Sequence, residues 1–153
     1  MRIIYYSYWG TYAAYTMAAL HAGIYKPGGL PPEEWIAAQF ELCRRYGGQY
    51  GNLMFVGLDI RFREVYSMGC KKHAGMVIRA LQHISRIFQI EEPVQFIDAG
   101  RREGILPVLL QRIGFRREKT AKKLFTIWFQ KNYRACLQQV QRTKQALKDG
   151  IIE

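Results

Sequence analysis

A three-layer α/β/α sandwich, with a mostly parallel sheet of about five strands and one β-hairpin, is the fold that this sequence predicts, on three observations. Short apolar runs rich in β-branched and aromatic residues alternate with segments of three- and four-residue periodicity along the whole chain. Two of the strand-like runs pass through a glycine-bearing turn directly into a helix. Near the middle, two strand-like runs lie too close together for a helical crossover and must pair antiparallel. No repeat, low-complexity linker or shift in composition divides the chain, so residues 1–153 read as one α/β domain, long enough to bury a core without staples.

Arg2 to Tyr8 is the first strand, Trp9-Gly10-Thr11-Tyr12 breaks it, and a helix from Ala13 to Ala22 stops at Gly23. Ile24 to Leu30 is a loop by its proline and glycines. Pro31-Pro32-Glu33-Glu34 opens a second helix, since a first turn tolerates proline and favours acid, and Arg44 and Arg45 close it where cations suit the dipole. Leu53 to Leu58 is a strand apolar enough to be buried on both faces. Asp59 to Arg63 turns the chain and Glu64 to Met68 returns it. The clearest helix carries Ala74, Val77, Ile78, Leu81, Ile84 and Phe88 on one stripe, with Arg79, Gln82 and Arg86 opposite. Val94 to Asp98 is a strand, and Ala99 to Gly104 turns into a helix that holds Pro107 in its first turn and is closed by Gly114. Arg116 to Lys123 reads as a basic connector, Leu124 to Phe129 as the last strand, and about Asn132 to Asp149 as the last helix.

A net charge of +11 and an isoelectric point near 9.8 are the bulk features furthest from average. They favour phosphate-bearing partners, although a plain solvated basic surface gives the same numbers. Cys43, Cys70 and Cys136 are odd in count and widely spaced, which argues against a disulfide framework and for a reducing compartment. With no signal-peptide pattern at Met1 to Tyr12 and no apolar run of membrane-spanning length, a cytoplasmic location is expected.

Ligands of open α/β sheets collect at the carboxyl ends of the strands, which singles out two turns. In the first, Gly10 allows close backbone approach, Thr11 offers a hydroxyl, and the helix behind Tyr12 supplies partial positive charge for a phosphate; the bland alternative is that Thr11 caps the helix. The turn is neither a Walker A loop nor GxGxxG, and no cofactor motif accompanies it. In the second, Asp98 is a polar anchor and Arg101 and Arg102 are phosphate-binding guanidiniums, unless Asp98 simply caps and the arginines are solvated. Lys71 and Lys72 add charge beside Cys70, whose thiol should be acidified by them; Met76 stands where a phosphatase loop would need arginine, so a catalytic Cys70 is disfavoured. The histidines are isolated, which leaves no metal set and no Ser-His-Asp arrangement. Arg112, Arg116, Arg117, Lys119, Lys122 and Lys123 form the densest basic tract, a possible edge for nucleic acid or an acidic protein, with Phe115 or Tyr133 able to stack on a base.

Several of these positions resemble the bacterial family labelled domain of unknown function 3189, found largely in spore formers. Tyr8, Gly10, Thr11, Ala18, Ala19, His21 and Gly23 match its opening strand, turn and His-x-Gly helix end. Gly57, Asp59, Val65, Tyr66 and Gly69 match its Gly-x-Asp segment and Val-Tyr strand, and Lys71-Lys72 its basic pair. Trp9, Tyr12, Ala13 and Ala14 replace that pattern's glycine, histidine and two serines, so the turn is degenerate. The resemblance implies a fold and a site position, which includes Asp59, but no reaction.

The leading expectation is therefore a protein that binds a phosphorylated small molecule or nucleotide at the first and fourth strand ends. The competing one is a basic binding module that uses the Arg112–Lys123 edge, and a third is a protein interface built on Tyr12 and Tyr15. No complete catalytic set can be named.

Overall fold

Alternation along the first strand sets the layers. In the computed structural model, which describes residues 1–113 and 116–150, β1 (Arg2–Ser7) sends Ile3 and Tyr5 to one face of the sheet and Ile4 and Tyr6 to the other. The expected helix stop at Gly114 and the stacking role of Phe115 fall outside the described residues. β3 (Glu64–Gly69) and β4 (Val94–Asp98) flank β1 in parallel, with Tyr5 beside Ser67 on one side and Ile97 on the other. β2 (Leu53–Leu58) pairs antiparallel with β3, as the expected hairpin, and forms one edge of the order β2-β3-β1-β4.

The sheet thus has four strands of mixed direction, not five that are mostly parallel. Leu124 to Phe129 is not a strand. Together with most of the expected connector and the last helix it forms one helix, α5 (Glu118–Lys148), of 31 residues. Its β-branched and aromatic run mimics a buried strand, but Ala121, Phe125, Trp128, Phe129, Tyr133, Cys136 and Val140 keep helical spacing and are all buried. Neither glycine nor proline interrupts residues 116–149. Tertiary packing of that stripe overrides local β propensity.

α1 (Ala13–His21), α2 (Glu33–Tyr46), α4 (Leu106–Ile113) and α5 share the main core on the Ile3–Tyr5 face. The alanines of α1, at 13, 14, 18 and 19, let it lie close on the sheet, and the aromatics of α5 and α2 fill the space behind it. Phe125 meets Tyr12, Phe40 and Trp128 at ring separations of 5.7–6.1 Å. Each such buried large side chain contributes about 1.5–3 kcal/mol. Among the described residues, the helix on the other face is α3 (Ala74–Ile87), none of whose residues is fully buried, over a small cluster of Ile4, Met68 and Cys70. Among the described residues no helix is long and apolar enough to cross a membrane, and the three cysteines are buried and free.

Candidate functional site

The chain leaves β1 toward β3 and crosses back from β3 to β4, so strand order reverses at β1, where open α/β sheets form a crevice. Loops after all three parallel strands meet there. The Ala99 N–H donates to the Tyr6 carbonyl (2.8 Å), that of Cys70 to Ser7 (2.9 Å) and that of Lys71 to Tyr8 (3.0 Å). Gly10, at φ +79°, backs directly onto Gly69: a Cβ on Gly10 would sit 2.4 Å from the Gly69 nitrogen. The Gln39 side chain of α2 fixes the rest of the turn, donating to the Thr11 and Tyr12 carbonyls at 3.1 Å.

Behind these loops lies a group that the sequence did not reveal. Glu103, only 4% exposed, accepts the Ser7 hydroxyl at 2.5 Å, and the Trp9 N–H approaches its other oxygen at 3.4 Å. Ser7 in turn accepts the Gly10 N–H at 2.9 Å, and the Trp128 indole donates to the Glu103 carbonyl at 2.9 Å. Glu103 therefore latches the first turn to the second and both to α5. Burial pushes its carboxyl up to about 7, against the opposing pull of the Ser7 and Trp9 donors. In sequence it stands beside two arginines and belongs to no motif that marks it as buried.

The sign of that shift makes a prediction. Between about 4.5 and 7 the native state holds a proton that the unfolded chain has lost, so the Glu103 contribution falls as pH rises, by on the order of 3 kcal/mol in all. Glu103→Gln removes this dependence. Chemical denaturation at pH 5 and pH 8 is expected to show the variant gaining on the native sequence by about that amount at the higher pH. A gap that is the same at both would mean that the carboxyl is not buried as described.

The expected site residues separate into three groups. Gly10, Thr11 and Tyr12 are buried: Tyr12 points into the aromatic core and is the N-cap residue of α1, and the Thr11 hydroxyl makes no capping bond. Only a cavity of about 20 Å³, lined by Trp9, Gly10, Thr11, Ser67 and Gly69, remains beside the turn, which is room for a water and not for a phosphate. Asp98 stands exposed at the end of β4, and Lys71, Lys72, Arg101 and Arg102 in the loops after β3 and β4. Asp98 accepts the Gly100 N–H at 2.8 Å within its own turn, while the N-cap of the short 3-10 turn Gly100–Arg102 is Ala99, with no side-chain capping bond. None of the four cations has an ion-pair partner among the described residues. Lys71, held at φ +50°, lies 4.3 Å over the Tyr50 ring, which packs with Tyr8 and Trp9 into an aromatic cluster not foreseen as part of the site. Burial raises the Cys70 thiol, so the expected activation by its lysines does not occur.

Asp59 belongs elsewhere. It ends the β2 side of the hairpin, at the amino end of β1, where Arg2 pairs with Glu64. Its carboxylate accepts the Arg63 guanidinium at 2.6–2.7 Å and the Arg61 and Arg63 N–H groups at 2.8 and 3.0 Å. Burial works to raise this carboxyl, but the Arg63 and backbone donors hold it below the usual range. On its inner side is His21 at 3.5 Å, whose Nδ1 faces the Tyr5 hydroxyl at 2.8 Å. Burial and the nearby Lys144 lower the His21 pKa to about 4, so the ring is neutral at pH 7. The cluster joins α1, β1 and the hairpin turn as a structural unit. Of the two tyrosines expected at an exposed interface, Tyr12 is fully buried and Tyr15 half-buried.

The basic tract is exposed as expected wherever it is described: Arg112 on α4, Arg116 and Arg117 before α5, and Lys119, Lys122 and Lys123 on its first turns. Tyr133 is buried against Phe129 and cannot stack on a base.

Fold and strand-end loops together define an α/β protein with a basic, aromatic rim at its topological switch point. The chain belongs to the family described as protein of unknown function (DUF3189), which it matches over residues 2–145. No curated protein and no solved structure matches it.

Proposed function

We propose that the chain binds a nucleotide or another phosphorylated small molecule on the rim formed by the loops after β1, β3 and β4. The observation that carries this reading is that Lys71-Lys72 and Arg101-Arg102, without ion-pair partners among the described residues, follow the two strands that flank β1, with Lys71 over Tyr50 of the Tyr8–Trp9–Tyr50 cluster and Arg102 reaching Gln139 of α5 at 3.5 Å. Cations take phosphate oxygens, and Tyr8, 42% exposed, offers a ring face to a base. The filled turn at Gly10–Tyr12 serves as the floor of such a site and not as its phosphate cradle. Asp98 supplies an acceptor for a sugar hydroxyl through the oxygen that Gly100 leaves free.

A thermal-shift series with nucleoside phosphates and sugar phosphates at millimolar concentration tests it. Saturating ligand should raise the melting temperature by several degrees, nucleotides more than sugar phosphates. Lys71→Ala/Lys72→Ala and Arg101→Ala/Arg102→Ala should each abolish the shift, and equal stabilisation of the variants would overturn the reading.

A second reading rests on the six exposed cations from Arg112 to Lys123, offset only by Glu118. It has nucleic acid or an acidic protein bound along the α4–α5 edge. In the same series it predicts stabilisation by RNA that weakens steeply with salt and is lost in Arg116→Glu/Arg117→Glu.

A further inference from the structure

Large exposed apolar side chains are concentrated on one side of this molecule. Of eighteen such residues among those described, ten fall between Leu53 and Ile90. On β2, Met54 and Val56 face the main core side, while Leu53 and Phe55 face the α3 side, where Phe55 meets Tyr66. The bulge between Phe55 and Gly57 turns Gly57 toward Ala22 and Ile24. It thereby leaves Leu58 with Leu53 and Phe55 on the α3 side. α3 does not cover them. Its stripe packs on the sheet through Ala74, Val77 and Leu81, and then continues uncovered through Ile84, Ile87 and Phe88, the last two 74% and 72% exposed. Two apolar strips therefore lie on this face, with a cavity of about 280 Å³ between Leu53, Leu81, Ile4 and Phe96 that Arg2, Arg86 and Glu92 rim with charge.

Charge says what covers this face. Residues 53–69 and 74–96 hold four acidic and four basic side chains, so the β2–β3 hairpin and the α3–β4 segment are neutral in a chain whose net charge is +11. An acidic partner would be drawn to the cationic tracts elsewhere on the chain, whereas two copies of a chain of net charge +11 can meet on this face without net repulsion. Two apolar strips on one patch also allow the self-complementarity that a two-fold interface requires. We propose that this face joins two copies of the chain about a two-fold axis, with Ile84, Ile87 and Phe88 of each copy seated on Leu53, Phe55 and Leu58 of the other.

Sedimentation equilibrium of the full chain at tens of micromolar is expected to give twice the 17.9 kDa protomer mass, and to do so at high salt as well, since the contact is apolar and neutral. Ile87→Asp/Phe88→Asp should give a folded monomer, since both side chains are exposed in the protomer, whereas Ile127→Asp, on the exposed face of α5, should leave the dimer intact. Phe55→Asp and Phe88→Lys should each be monomeric alone and associate when mixed. A monomeric native chain, a dimer that dissolves in salt or survives Ile87→Asp/Phe88→Asp, or a mixture that fails to associate would overturn the proposal.

Discussion

Gly10→Ala is expected to destabilise the fold by about 2–4 kcal/mol, a large part of the 5–15 kcal/mol that holds a typical domain together. Two costs add. At φ +79° a side chain is strained by about 1 kcal/mol. A Cβ there would also meet backbone, the Gly69 nitrogen at 2.4 Å and the Met68 carbonyl carbon at 2.7 Å, which cannot move aside as a side-chain tip can. Gly23 separates the two costs, since its φ is +77° but nothing lies within 4 Å of a Cβ built on it. Gly23→Ala should therefore lose only about 1 kcal/mol. Urea midpoints of the two variants measure the difference, and equal losses would mean that the β1 and β3 loops do not touch.

Asp59→Ala is expected to cost about 3–5 kcal/mol, because it strands the partly buried Arg63 guanidinium without a counter-charge. It also frees the Arg61 and Arg63 amides that the carboxylate orders into a turn. Removing Arg63 as well should recover part of the loss, since the double variant buries no unpaired charge. A cost below about 1 kcal/mol for Asp59→Ala would return Asp59 to the list of ligand contacts. Because Arg63 holds the Asp59 carboxyl low, the pairing is fully present above its unfolded pKa and is lost only as pH falls through the lowered folded value. His21 adds an acid sensitivity of its own. Its folded pKa of about 4 means that stability drains as pH drops from about 6.5, where the unfolded ring takes up a proton. Glu103 runs the other way over most of that window, so the two effects offset each other in the native sequence.

Much of this architecture was legible because its signals are local. The β1 strand, the glycine stop after α1, the acidic opening of α2 and the hairpin all depend on neighbours a few residues apart. α5 was misread where two periods compete: Leu124 to Phe129 is β-like in composition, and only the spacing of buried residues over several further turns marks the helix. Topology alone singles out the two strand-end turns, and they do meet. What escaped was long-range. Glu103 and Ser7 are 96 residues apart and carry no motif, and Tyr50 joins Tyr8 and Trp9 only through the fold. Asp59 was grouped with the site because its resemblance to a family pattern says nothing about which end of the sheet it occupies.

The unequal seating of the helices has a consequence in time. α1 and α5 share one core, so neither can leave the sheet without dismantling it, and their amides are expected to exchange only through global unfolding. α3 rests on a shallow cluster and can lift while the rest stays native. Each such excursion opens Ile4, Met68 and the Cys70 thiol to solvent and then closes over them again. A second copy seated on the same face would slow that breathing, which links the lifetime of the α3 layer to the concentration of the protein itself.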